Sequence, residues 1–262
     1  MRAPLMLIIA RARRRPGRWL LPVAGIALAA GFAGAVVVEG TIAGDRAARV
    51  ALGSLSQLDR TFSVTYQGEL TPGVRTQALA AVGQTGFGPP TSVVLLNPVR
   101  LSGVVVRPAA VDPLSRWVDA TTATAARRLG PCLPARCPVL AAGGRLGRTT
   151  LDAAGVHMVV VGRAELTSAA PLGFVPSEAA DEPPVVLTGD LPGLSALPGL
   201  SGVYRAYSWM TLMPTASLQS WQLPAAEARL RRIQANITAA GSQFSLNGAF
   251  TENWLLAAVT LA

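Results

Sequence analysis

Trp19 to Val38 read WLLPVAGIALAAGFAGAVVV, 20 residues without a charged side chain. As a helix rising about 1.5 Å per residue, the stretch is about 30 Å long, the thickness of a bilayer's hydrocarbon core. Before it, Arg2, Arg11, Arg13, Arg14, Arg15 and Arg18 bring six positive charges and no negative one; Glu39 and Asp45 follow it. Basic residues favour the cytoplasmic side of a membrane helix. The expected organisation is therefore a basic cytoplasmic N-terminus over 1–18, a transmembrane helix over 19–38 and an extracytoplasmic domain over 39–262. Arg11, Arg13, Arg14, Arg15 and Arg18 are the topology signal, and Trp19 stands where an interfacial aromatic belongs. Pro22 reads as a first-turn proline, where it costs little. The reading is of a single-pass protein of the cell membrane in contact with lipid.

A cleaved signal peptide is the competing reading, with Ala33-Gly34-Ala35 as a small-x-small processing site. The apolar run exceeds the about 7–15 residues of a signal sequence's apolar region, which favours a retained anchor. No Cys precedes Cys132, which excludes a lipoprotein anchor. Gly25/Ala29, Ala30/Gly34 and Gly31/Ala35 are small-xxx-small pairs, either contacts for a second membrane helix or a by-product of an Ala-rich segment. Met1 to Ala10 reads as a short interfacial helix or a frayed end.

All 23 basic residues are Arg, and the formal charge is +9. Without Lys there is no Walker A phosphate loop and no lysine Schiff-base chemistry. After residue 40, 17 Arg face 13 acidic residues, too even a balance for a nucleic-acid surface.

Residues 41–262 alternate between strand-like and helix-like stretches. Arg60–Tyr66, Ser92–Leu96, Ser102–Val106, Val156–Val161, Pro184–Leu187, Val203–Met213 and Phe244–Leu246 read as strands. Thr71-Pro72 opens a helix running to Val82 with Thr71 as N-cap, and Pro113–Ala126 reads as helical. Leu223–Ala240 is the clearest helix, with a stripe of Leu230, Ile233 and Ile237. The fold class is α+β: one N-terminal transmembrane helix, then a mixed α+β domain in one lobe or two. The echo Leu191-Pro-Gly-Leu-Ser195 and Leu197-Pro-Gly-Leu-Ser201 reads as turns in a loop. The uncharged run Asn253–Ala262 is half a spanning length, either a docking helix or the approach to a further membrane segment.

Cys132 and Cys137 bracket Leu-Pro-Ala-Arg, and an even pair of cysteines outside the cytoplasm is expected to form a disulfide that pins a local turn. A metal site would recruit His157 and still be short of ligands. His157 lies among apolar neighbours with no G-x-S-x-G elbow elsewhere, so a hydrogen-bonded or edge-strand histidine is the expected role. Arg229, Arg231 and Arg232 read as a solvated basic face, with binding of anionic headgroups as the lesser reading. Asn236-Ile-Thr238 matches a glycosylation sequon inside a helix and carries little weight. No catalytic residue, cofactor site or metal site is expected.

Ser115-Arg-Trp-Val118, GPCLPARCPVLAAGG (130–144), VHMVVVGRAEL (156–166), PPVVLTGDLPGL (183–194), GVYRAYSWM (202–210) and FSLNGAF (244–250) together resemble the ectodomain of FtsX-like, MacB-like ABC transporter permeases, in particular the large ones of GC-rich bacteria. The resemblance covers essentially the whole chain, and its motifs are structural. It implies a MacB-like periplasmic core, a separate cytoplasmic ABC ATPase subunit that supplies energy, and no enzymatic activity in this chain. It also implies further permease helices or a second permease half as partners, and no nucleic acid. Family members continue into three more spanning helices, and this sequence ends at Ala262 before any of them, which is expected of a fragment, a truncated product or a half that assembles with a partner. The alternative is a single-pass or secreted envelope binding or sensing module with no transport role.

Overall fold

The computed structural model describes residues 17–54, 57, 60–167, 171, 183–214, 219–240 and 244–247. Arg11, Arg13, Arg14, Arg15, the Met1–Ala10 stretch and the Asn253–Ala262 run lie outside them.

The apolar run forms part of one helix, α1 (Gly17–Gly53), which continues well past Val38. It is long and apolar enough to cross a membrane. Its 37 residues amount to about 55 Å. Pro22 is not in the first turn, because the helix begins at Gly17. A proline at that depth supplies no N–H to the carbonyl four residues back and removes one ladder bond.

The domain is a mixed sheet covered on both faces. Its elements in chain order are β1 (Thr61–Gln67), α2 (Pro72–Gly83), β2 (Thr91–Leu96), β3 (Val99–Leu101), β4 (Val104–Asp112), a 3₁₀ turn at Leu114–Arg116 and α3 (Ala120–Arg127). There follow β5 (Cys137–Ala142), β6 (Thr150–Ala153), β7 (Val156–Arg163), β8 (Val185–Thr188), α4 (Leu191–Ser195) and a 3₁₀ turn at Pro198–Leu200. β9 (Arg205–Leu212), a 3₁₀ turn at Ser220–Gln222, α5 (Leu223–Ala240) and β10 (Phe244–Asn247) complete the described chain. The strand order is β10-β1-β9-β2-β4-β8-β5-β7-β6, with β3 paired to β4. Neighbours are antiparallel except β4 with β8 and β5 with β7.

The two-residue period of a strand divides the core. Phe62, Val64 and Tyr66 of β1, Val94 and Leu96 of β2, and Tyr207 and Trp209 of β9 share a cluster with Ala78 and Val82 of α2 and Leu230, Ile233 and Ile237 of α5. Val93, Ala109, Val111, Leu140, Leu187 and Met210 point the other way, against Leu114, Trp117, Val118 and Ala126. Trp117 is buried and its indole Nε1–H donates to the Thr91 hydroxyl at 3.1 Å, which satisfies both polar groups inside this second layer.

Ser102–Val106 is not one strand. Ser102 and Gly103 both have positive φ, 48° and 81°, and form the turn that joins β3 to β4. Paired positive φ values suit a two-residue hairpin turn, for which glycine is the usual second residue. From this turn the Ser102 N–H donates to the Asp152 carbonyl at 2.9 Å, and the Asp152 N–H donates to Ser102 Oγ at 2.7 Å. The sheet therefore curls until its β6 edge meets the β3–β4 hairpin, and that edge is not left open at Asp152. Pro113–Ala126 likewise divides into the 3₁₀ turn and α3.

The two Leu-Pro-Gly-Leu-Ser segments are short helical turns, α4 and the following 3₁₀ turn, that bury Leu194, Leu197 and Leu200. Arg205 fastens their ends: its guanidinium donates to the carbonyls of Ser195 (2.9 Å), Leu200 (2.5 Å) and Ser201 (3.2 Å). A planar fork of donors suits this task and an ammonium does not.

Candidate functional site

Helix α1 carries one buried seam. Gly44, Ala48 and Leu52, spaced by four, are buried. Ala48 and Leu52 pack with Met213 after β9 and Leu223 at the start of α5. Ala51 packs partly against the same cluster, whereas the side chains from Ala24 to Ile42 are exposed, with Ile26, Leu28 and Phe32 each more than 70% exposed. Val36, Val37, Val38 and Ile42 are exposed as well. An apolar surface of this length without a covering is out of place in water. One end of α1 is thus apolar on all sides, and the other is a packed part of the domain.

Cys132 and Cys137 are joined, with Cα atoms 4.0 Å apart, and both are buried. The turn between them is closed again by reciprocal backbone bonds between Leu133 and Arg136, at 3.1 and 3.0 Å. Asp190 holds this turn to α4. One carboxylate oxygen accepts the Cys132 N–H at 2.8 Å, and the other caps α4 by accepting the Gly193 N–H at 2.9 Å. Asp190 was missed in the sequence, although Asp before Leu-Pro-Gly is an N-cap pattern. Replacing both cysteines with Ala is expected to cost about 2 kcal/mol, the closure entropy of so short a loop. Denaturant unfolding of the double variant beside the oxidised protein measures it.

α3, the adjoining turn and β7 enclose an open groove of about 510 Å³. Leu129, Leu133, Pro138 and Val161 give it apolar walls, and Arg128 and Arg136 line it too. At the opposite, N-terminal end of α3, Asp119 is the N-cap, which accepts the N–H groups of Thr121 and Thr122 and the Thr121 hydroxyl. The hydroxyl bond from Thr121 is the largest influence, followed by Thr122, and together these hold the Asp119 carboxyl below the usual aspartate range. A carboxyl whose pKa is depressed on folding adds stability above its unfolded value, and that stability is lost as pH falls through the folded value. The stability difference between the protein and Asp119→Asn should therefore be largest at neutral pH and shrink as pH drops below the ordinary aspartate range. Denaturant midpoints across that interval test the sign.

His157 and Asp152 are directly opposite on β7 and β6, and His157 Nδ1 is hydrogen bonded to Asp152 Oδ1. Both side chains are well exposed, at 42% and 52%. This is the hydrogen-bonded histidine that the sequence suggests, on a strand that is not at the edge, since β7 lies between β5 and β6. No group of three or more His, Cys, Asp or Glu side chains able to hold a metal occurs among the described residues.

The α5 arginines Arg229, Arg231 and Arg232 are all exposed, as a solvated face requires, and each also holds a local contact. Arg229 reaches α2's end and donates to the Thr85 carbonyl at 3.1 Å, Arg231 pairs with Glu227, and Arg232 donates to the Ala228 carbonyl. Asn236 lies on α5 beside a small cleft shared with Gln77 and Gln84 of the α2 region.

Comparison with protein-family models and with curated proteins finds no match to this chain. The features that remain distinctive are thus its own: an apolar helix rooted in the domain, and an arginine-lined groove beside the disulfide.

Proposed function

We propose that the chain is the anchored extracytoplasmic portion of an ABC transporter permease of the FtsX-like, MacB-like kind. α1 spans the bilayer with the N-terminus cytoplasmic, and the sheet domain stands outside. A separate ATPase subunit supplies the energy, and further permease helices or a second permease half complete the complex. One observation carries this reading: α1 runs without a break from the exposed apolar stretch into the Gly44–Ala48–Leu52 seam. A helix resists bending over this length, so displacement in the membrane plane would pass to the domain through packed side chains. The resemblance of GPCLPARCPVLAAGG and PPVVLTGDLPGL to permease ectodomains supports the assignment.

Retention of α1 is favoured over cleavage after Ala35 on physical grounds. A processed chain would begin at Val36 and expose Val36, Val37, Val38 and Ile42 to water with no lipid to cover them.

Mild-detergent purification from the native membrane tests the partner assignment. The expected result is a complex in which an ATPase subunit co-purifies and ATP hydrolysis follows it. A homogeneous single-pass chain without ATPase activity, able to bind an envelope ligand alone, would favour the second reading, a binding or sensing module. The groove beside the disulfide is the observation in favour of that alternative.

A further inference from the structure

We propose that the groove between α3, the disulfide-closed turn and β7 is a binding site for a single small anionic amphiphile, with a short acyl body and a phosphate or carboxylate head. The body would lie on Leu129, Leu133, Pro138 and Val161, and the head between Arg128 and Arg136.

Three observations carry it. First, the apolar wall is open to water: Leu133 is 54% and Val161 49% exposed, and both line this one groove. Second, both arginines are exposed, and neither guanidinium has a carboxylate or hydrogen-bond partner among the described residues. Several other arginines of the domain are engaged, Arg205 on four carbonyls, Arg229 on Thr85 and Arg163 on Gly144. Arg75, Arg100, Arg145 and Arg148 also have no side-chain partner among the described residues, but they do not line this groove. Two unengaged guanidiniums on one apolar groove make a site of a single charge sign, which draws anions and holds their oxygens in a fork. Third, the walls are held in place. Leu133 and Arg136 sit on a turn closed by the disulfide and two backbone bonds, so little ordering is needed on binding.

The C-terminal end of α3 also adjoins the groove, and its partial negative charge opposes an anion. That opposing charge is about half an elementary charge. Arg127 already answers it by donating to the Ala123 carbonyl and the Thr124 hydroxyl. Two whole positive charges outweigh the remainder. Size selects an amphiphile over a longer acidic peptide, because about 510 Å³ falls in the range of small-molecule pockets.

The test uses the full chain in phosphatidylcholine nanodiscs, with octyl phosphate as probe and equilibrium dialysis as readout, corrected by empty nanodiscs. Octyl phosphate should bind at one site per chain, while octan-1-ol and inorganic phosphate each bind at least about tenfold more weakly. Arg128→Ala/Arg136→Ala should weaken octyl phosphate by at least about tenfold with an unchanged melting temperature. Leu133→Ser should weaken it while leaving inorganic phosphate unaffected. Equal binding of octanol, or full binding by the double arginine variant, would overturn the proposal. So would displacement of octyl phosphate by a glutamate-rich peptide at a lower concentration than by octyl phosphate itself, which would make the groove a peptide site.

Discussion

Gly199→Ala is expected to destabilise the domain by about 3 kcal/mol or more. A Cβ at this position would stand 2.1 Å from the Ala154 carbonyl oxygen and 2.8 Å from Val156 Cγ2. The first of these is backbone in the β6–β7 turn, where Gly155 already holds φ at 74°. Neither side can move aside without disturbing the turn or the 3₁₀ segment that buries Leu200. For a domain of this size the melting temperature should fall by about 6–12 °C. Gly202→Ala is the control, since a Cβ there meets nothing within 4 Å. Thermal unfolding of the two variants side by side decides the point, and equal melting temperatures would remove the close packing of the second Leu-Pro-Gly turn against the hairpin from the account.

The second large effect is expected at the root of α1. Leu52 is fully buried with Ala48, Met213 and Leu223. Leu52→Ala should cost about 3 kcal/mol in lost burial and cavity. Leu52→Asp puts a carboxylate among those side chains with no partner, at a penalty large enough that local detachment is the cheaper outcome. Amides of residues 44–53 should then exchange rapidly, while β2, β4 and β8 in the middle of the sheet keep their protection. Hydrogen exchange read by peptide mass shows the difference. Uniform loss of protection across the sheet would mean that the seam is part of one cooperative core. Unchanged protection at 44–53 would mean that it contributes little. In a transporter, the detached variant should retain assembly and lose coupling between membrane and domain.

The elements legible in the sequence were those whose signal is local. The 20 uncharged residues of α1, the Thr71–Pro72 start of α2 and the Leu230–Ile233–Ile237 stripe of α5 each follow from one period or one cap. The disulfide was legible from compartment and spacing. β5 was not, because every residue of Cys137–Ala142 is buried and a strand covered on both faces shows no alternation. The hairpin at Ser102-Gly103 was read as strand, although Ser-Gly is a turn pair and Val104–Val106 simply continued the apolar pattern beyond it. α1's extension to Gly53 was hidden by its change of surroundings, since Glu39 and Asp45 end the apolar run and not the helix. The groove could not be read from sequence, because Arg128, Arg136 and Val161 come from a helix end, a turn and a strand. Only the folded chain brings them to one groove.

The most direct test of the central claim is the state of the chain in the cell envelope: its N-terminal mass and the conditions that extract it. The account predicts an uncleaved chain retaining Trp19–Val38, resistant to alkaline carbonate and released by detergent. A carbonate-soluble chain whose sequence starts near Val36 would contradict it.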